Sequence, residues 1–318
     1  MTSPASDVDV TVGSRHGLAV LGQPGTGVSA THHGELVQGA IRDRDGRLRN
    51  VLVTLPFQDT THAVLEPTGT ELSVTPSWKT KALAASALTQ RAAGITEPTG
   101  RLVISGSVSV GFGFGSSTSD VVAAIRATAD ALRLPLKPED IAALAVKVER
   151  ASDPLMYSDV PMLFAQREGV VVERFDRSLP PILVLGVRTL TDPVLTDSLP
   201  PPDYSWQEIQ QFRVIIAAVR RAIAAGSAAL LAKAATRSAE INQRYLPLSV
   251  WPDLYRTAAE SGAQGLQIAH SGSIAGLIFD ARSDRLDDSI HLAEEWLGRL
   301  GMQFWRFRCG EWFTSPGQ

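Results

Sequence analysis

The residues best placed to do chemistry are Gly111, Gly113 and Gly115, the hydroxyls Ser116, Ser117, Thr118 and Ser119, and the acids Glu149, Asp153 and Asp159. Alternating glycines let a backbone approach a phosphate closely. Free N–H groups at a helix start, with the helix dipole behind them, favour an anion. Ser and Thr hydroxyls can cap such a helix and also reach a phosphate-bound Mg²⁺. Phosphoryl transfer uses carboxylates as metal ligands or to polarise an attacking hydroxyl. The strict dinucleotide fingerprint is absent, because Ser116 occupies its third glycine position, and no Lys follows the last glycine as the Walker pattern requires.

Two other segments carry candidate groups. In ATHHGELVQG (Ala30 to Gly39), Gly34 and Glu35 read as a turn bearing one carboxylate. In AHSGSIAGLIFD (Ala269 to Asp280), His270, Ser271, Gly272 and Ser273 form a small-residue turn between two strands. That turn is either a plain hairpin loop or a nest of N–H groups for an anion. His32 and His62 show no metal-ligand spacing, so no zinc site is expected. Trp78 reads as core rather than as a stacking platform, and Lys147 and Arg150 as solvated.

The elements that must hold these groups are legible from periodicity. Short strands are expected at Leu18–Leu21, Gly27–Thr31 and Leu36–Ile41, with a turn at Asp43–Arg47. Alternating runs follow at NVLVTLPF, THAVLEP and ELSVTP, then a helix over Ser77–Ala93. The strand at Leu102–Ser105 leads into the glycine loop and a helix from Ser117. Pro138, Glu139 and Asp140 mark the start of a helix over Lys137–Arg150. Beyond Glu168 the order becomes two strands, three helices (Trp206–Ala225, Ser227–Tyr245, Trp251–Ser261), two strands, a helix over Arg285–Leu300 and a last strand. From the second of those first two strands onward, this is a split βαβ unit of ferredoxin type with helices inserted. The chain therefore reads as two α+β lobes, residues 18–177 and 178–318, after a polar leader of residues 1–17.

Composition narrows the class. At 318 residues and 44% hydrophobic, the chain is long enough for two packed lobes. A net charge of −3 gives no footprint for nucleic acid or an anionic membrane. No apolar run approaches the roughly 20 residues of a membrane span, and no signal peptide is evident. The single cysteine, Cys309, excludes an intramolecular disulfide and fits a reducing cytoplasm.

The glycine segment, VSVGFGFGSSTSD, resembles the second motif of the GHMP kinases, Pro-x3-Gly-Leu-Gly-Ser-Ser-Ala, with Ser109 in place of the proline and Phe114 before the final Gly-Ser-Ser. The segment at Ala30 resembles the first motif in the L-threonine kinases of cobalamin biosynthesis, approximately Ala-Ser-Cys-Gly-Glu-Leu-Ile-Gln-Gly. Gly34, Glu35, Leu36, Gln38 and Gly39 match, and His33 stands at the cysteine. The His270 turn resembles that subfamily's third motif, and Asp120 after the hydroxyls fits it too. The resemblance implies a two-lobed α+β fold, with an N-terminal ribosomal-S5-like lobe and a C-terminal ferredoxin-like lobe. It implies an ATP- and Mg²⁺-dependent transfer to an alcohol, L-threonine first, or else another hydroxylated amino acid or natural-product intermediate. A binding or sensor domain that has lost the chemistry is the rival.

By the same resemblance, Gly111, Gly113, Phe114, Gly115, Ser116, Ser117, Thr118 and Ser119 cradle ATP, and Ser117 with Glu149 holds Mg²⁺. His33, Glu35, Gln38 and the turn from His270 to Ser273 line the acceptor or phosphate side. SDPLMY resembles a threonine-kinase segment and makes Asp153 a candidate base. SDVPMLF resembles a segment of a kinase of isoprenoid synthesis and makes Asp159 the other. The choice between them stays open, with Asp153 favoured by the longer match.

Overall fold

The computed structural model describes residues 21–106, 113–157, 160–189 and 202–310. Two long strands, β1 (Gly25–Arg42) and β2 (Leu48–Glu66), form an antiparallel hairpin. Its turn is closed by Asp43, whose Oδ1 accepts from the Asp45 and Arg47 amides at 3.0 and 2.9 Å. Sequence periodicity divides each of these strands in two. The chain bridges the breaks with register shifts at Ala30/Thr31, His32/Glu35 and Glu35/Val37. Along β1 the exposure alternates up to Ala30, and from Thr31 on both faces are covered.

On one flank of the hairpin, β4 (Gly100–Gly106) pairs with β2, and β3 (Leu72–Thr75) runs parallel to β4. The helices α1 (Thr80–Ala92), α2 (Ser116–Ala131) and α3 (Pro138–Glu149) pack together, α2 lying along β1 and β2. Their shared core includes Leu65, Leu102, Ile125, Leu144 and Phe164. Proline in the first turn and an Asp140 carboxylate accepting from the Lys137 amide at 2.9 Å start α3 where the sequence places it. Two short strands, β5 (Met162–Ala165) and β6 (Val170–Arg174), form a side ladder on β2. The strand β5 has no alternating pattern, because all of its residues are buried, so periodicity does not reveal it.

The remaining elements are β7 (Ile182–Arg188), α4 (Trp206–Ala225), α5 (Ala228–Asn242), α6 (Trp251–Ser261), β8 (Gly265–Ile268), β9 (Ile274–Asp280), α7 (Leu286–Arg299) and β10 (Phe304–Cys309). The strands lie in the order β10-β7-β9-β8, all antiparallel. This is the ferredoxin-type arrangement expected from the element order. In β7, Ile182 and Val184 face α4 and α5, while Leu183 and Leu185 face α6 and α7. Ser205 caps α4 and exchanges bonds with Glu208, and Glu208 also accepts from Arg244 at 2.6 Å and Tyr245 at 2.7 Å beyond the end of α5. No helix among the described residues is long and apolar enough to cross a membrane. Among the described residues the two groups of strands meet through one paired position, Glu35 against Ile268.

Candidate active site

The site is built around that seam. In a regular strand, residues three apart point to opposite faces. Here the register slips between His32 and Glu35, and Gly34 adopts φ +66°, a conformation glycine reaches without strain. The bulge brings His32 Nδ1 within 3.9 Å of Glu35 Oε1. His32 donates from Nδ1 to the Gly34 carbonyl at 3.2 Å and from Nε2 to Asp153 Oδ2 at 3.0 Å.

The start of α2 supplies the next layer. Its N-cap is Gly115, in the left-handed region, and no side chain caps the helix. The hydroxyls expected to cap it are used elsewhere. Ser117 Oγ donates to Glu149 Oε1 at 2.5 Å, Thr118 Oγ1 donates to Asp153 Oδ2 at 3.2 Å, and Ser119 Oγ donates to the Ser29 carbonyl at 3.3 Å. Two successive hydroxyls of one helical turn thus hold two carboxylates that come from α3 and the loop after it. Glu149 also has Lys81 at 3.9 Å. Behind this layer Asp120 pairs with Lys79.

Burial sets the charges. Desolvation opposes a charged His32, but the Asp153 carboxylate and then Glu35 outweigh it, and the ring pKa rises to about 9. Desolvation likewise opposes ionised Asp153, yet His32 and the Thr118 hydroxyl hold its pKa below the usual value. At neutral pH these two form an imidazolium–carboxylate pair. Glu35 and Glu149 are each pushed up to about 7, chiefly by burial. Ligand atoms of His32, Glu35 and Asp153 lie within 4.8 Å of one another, close enough to hold a metal. With both ring nitrogens of His32 donating, however, that ring offers no lone pair to a cation.

A pocket opens beside Glu35. It is lined by Gln38, Ser238, Asn242, His270 and Gly272, among others. The Gln38 backbone is clamped by α5: its N–H donates to Ser238 Oγ at 2.9 Å and its carbonyl accepts from Asn242 Nδ2 at 2.8 Å. The Gln38 side-chain amide meets His270 Nδ1, and burial lowers the His270 pKa. The hydroxyls of Ser271 and Ser273 bond to each other at 2.5 Å. The Gly113 end of the glycine loop packs on this same turn, where a Cβ would lie 2.7 Å from the Ala269 Cβ.

Of the residues singled out from sequence, Ser117, Thr118, Glu149 and Asp153 come together in one cluster, and Glu35, Gln38, His270 and Gly272 in the adjoining pocket. Gly111 and Asp159 lie outside the described residues. His33 does not line the pocket. It is fully buried among Phe57, Phe114, Trp305 and Phe307, bonded through Nδ1 to the Gln267 amide at 2.6 Å, and burial lowers its pKa to about 3. Phe114 belongs to that aromatic cluster too, and its contribution near the loop is the backbone carbonyl that accepts from the His32 N–H at 3.2 Å. Trp78 is 57% exposed rather than core, with Lys79 over its ring. The residue sequence reasoning passed over is His32, whose partner Asp153 is 121 positions away. The adjacent motif residue Glu35 was its only local signal.

Residues 80–165, from the start of α1 to the end of β5, match the model of the GHMP kinases N terminal domain. Over that stretch the chain is similar to the GHMP kinases. An L-threonine kinase of Salmonella typhimurium is 28% identical over 190 residues, which are 57% of this chain and 60% of that relative. Among solved structures, a homoserine kinase from Cytophaga hutchinsonii superposes with a TM-score of 0.66 at 12% identity, covering 91% of this chain and 95% of that one. The L. major mevalonate kinase in complex with R-mevalonate gives 0.64 at 16% identity, covering 91% and 96%. The fold is thus that of GHMP kinases along nearly the whole chain.

Within this site the His32–Asp153 pair has a stability signature. A ring whose pKa is higher when folded stabilises the fold fully below its unfolded value, near 6.5, and loses that contribution as pH rises through about 9. Wild-type protein is therefore expected to lose roughly 3 kcal/mol of unfolding free energy from this group between pH 6.5 and 9. Urea denaturation of wild type and His32→Gln across that range checks it, and the variant should show a much flatter slope. Equal slopes would mean that His32 is neutral in the folded protein.

Proposed function

We propose that this chain moves the γ-phosphoryl group of ATP onto the hydroxyl of a small acceptor, L-threonine in the first instance, giving O-phospho-L-threonine. One observation carries the reading. The first turn of α2, a helix start suited to phosphate, holds Glu149 through Ser117 and Asp153 through Thr118. A phosphate on that turn would have a metal-binding carboxylate and an acceptor-facing carboxylate at its side. The acceptor oxygen bonds to the γ-phosphorus, the bond from that phosphorus to the bridging oxygen breaks, and ADP leaves. The hydroxyl proton passes to Asp153, whose charged form His32 and Thr118 maintain. In such transfers positioning and electrostatics supply most of the rate.

Glu149 and Ser117 suit Mg²⁺ because both offer oxygen, and Glu149 Oε2 is buried without a partner. When bound, the ion would neutralise charge on the phosphates. Glu149→Ala is expected to lower activity in a way that raised Mg²⁺ partly restores, read from initial rates over a Mg²⁺ series. A Mg²⁺ dependence identical to wild type would remove Glu149 from the metal site.

The L-threonine kinase relative supports the choice of first acceptor. The test is ADP release with L-threonine, L-serine, L-homoserine and simple alcohols, with products identified by mass spectrometry. L-threonine should lead the panel. Turnover of another alcohol without phospho-threonine would keep the kinase and discard the acceptor, and failure to bind a non-hydrolysable ATP analogue would discard the kinase.

A further inference from the structure

The pocket beside the seam holds a buried carboxyl group, and the described residues of its lining offer an acid no fixed cation. Glu35 lines it with a side chain 3% exposed, and its Oε2 meets no partner. No lysine or arginine is among the described residues that line it. The Ser238 hydroxyl and the Asn242 amide are engaged by the Gln38 backbone, and burial favours a neutral His270. The exposed Arg167 adds a positive field at His270 from outside the lining. A buried carboxylate oxygen without a donor is costly unless a ligand supplies one.

We infer that this pocket recognises its acceptor through an ammonium group on Glu35, and that its substrates are vicinal amino alcohols whose acid group is dispensable. This rests on the phosphotransferase reading of the same site. The trio His32, Glu35 and Asp153 brings two carboxyl groups and one imidazolium within 4.8 Å. Burial leaves Glu35 partly protonated at neutral pH, and a cation against it would complete its ionisation. An ammonium and a hydroxyl on adjacent carbons can reach Glu35 and Asp153 together, which sets the size class. A free carboxylate in the same place would meet two like charges.

The experiment compares L-threonine, L-threoninamide and 3-hydroxybutyrate on the full chain, first by calorimetric titration without nucleotide and then by turnover with Mg–ATP. L-threoninamide keeps the ammonium and removes the acid charge, while 3-hydroxybutyrate does the reverse. L-threoninamide should bind at least as tightly as L-threonine, and 3-hydroxybutyrate should bind about 10- to 100-fold more weakly, the range of a charge-assisted hydrogen bond. In Glu35→Gln the gap between L-threoninamide and 3-hydroxybutyrate should close. Preferential binding of 3-hydroxybutyrate, equal binding of the two, no binding of either amine, or an unchanged gap in a folded Glu35→Gln would each overturn the inference. If that variant does not fold, the wild-type comparison decides alone. An ammonium-dependent binding pattern without phosphate transfer to any ligand would retain the inference and overturn the phosphotransferase reading.

Discussion

Replacing Asp153 with Asn is expected to slow turnover by about 10²- to 10⁴-fold while ATP affinity stays unchanged. The carboxylate accepts from His32 and Thr118 and is held charged by them. An amide keeps the shape but not the charge, and it cannot take up the acceptor's proton. It also breaks a buried ion pair, because His32 keeps its place between the Gly34 carbonyl and the altered side chain. The effect should therefore fall on kcat, with titration of a non-hydrolysable ATP analogue matching wild type. Near-normal turnover in a folded Asp153→Asn would remove this residue from the chemistry and leave Asp159 as the candidate.

Gly115 is the second position where a small change should have a large effect. Its φ is +62°, and a Cβ there would lie 2.2 Å from both Cδ2 and Nε2 of His32. From sequence alone the glycine reads as clearance for a phosphate. The structure adds a second constraint, since the glycine lets the helix start close against the ring that holds Asp153. Gly115→Ala should thus combine backbone strain with overpacking, about 2–4 kcal/mol in all, and lower activity by displacing His32. Gly46 is the control. It has φ +77° in the β1–β2 turn and a Cβ there would meet nothing within 4 Å, so Gly46→Ala should show strain alone, about 1 kcal/mol. Urea unfolding of the two glycine variants, of His32→Ala, and of Gly115→Ala combined with His32→Ala separates the contributions. The double variant should lose less stability than the sum of its two single variants, and it should stay inactive. Equal losses at Gly46 and Gly115 would show that the contact with His32 carries no energy.

The helices α3 and α4 were readable because they signal their own ends. Ser205 and Gly226 bound α4, and Pro138 with its acids starts α3, so local chemistry sufficed. The β7–β10 unit followed from element order, because short connections leave few ways to arrange such strands. The pairing of Ser117 with Glu149 was anticipated through the family resemblance, and the side chains do meet. What escaped depends on contacts made at a distance. The continuity of β1 through Thr31-His32-His33-Gly34 rests on a bulge whose partner strand fixes the register. That bulge decides that His32 meets Asp153 and that His33 joins the aromatic cluster, and two adjacent histidines carry no local mark telling them apart. Trp78 failed the expectation of burial because the start of α1 leaves its ring under Lys79 at the surface.

The clamp on Gln38 has a consequence for how the chain matures. Its partners Ser238, Asn242 and His270 lie 200, 204 and 232 positions further along. Contacts of such separation carry a high loop-closure entropy and form late relative to local helices and hairpins. The contacts of Ser117 with Glu149 and of Thr118 with Asp153 join residues 32 and 35 positions apart, whereas the pocket beside Glu35 needs α5 and the β8–β9 turn. During synthesis the hydroxyl–carboxylate cluster can therefore form well before the pocket that adjoins it.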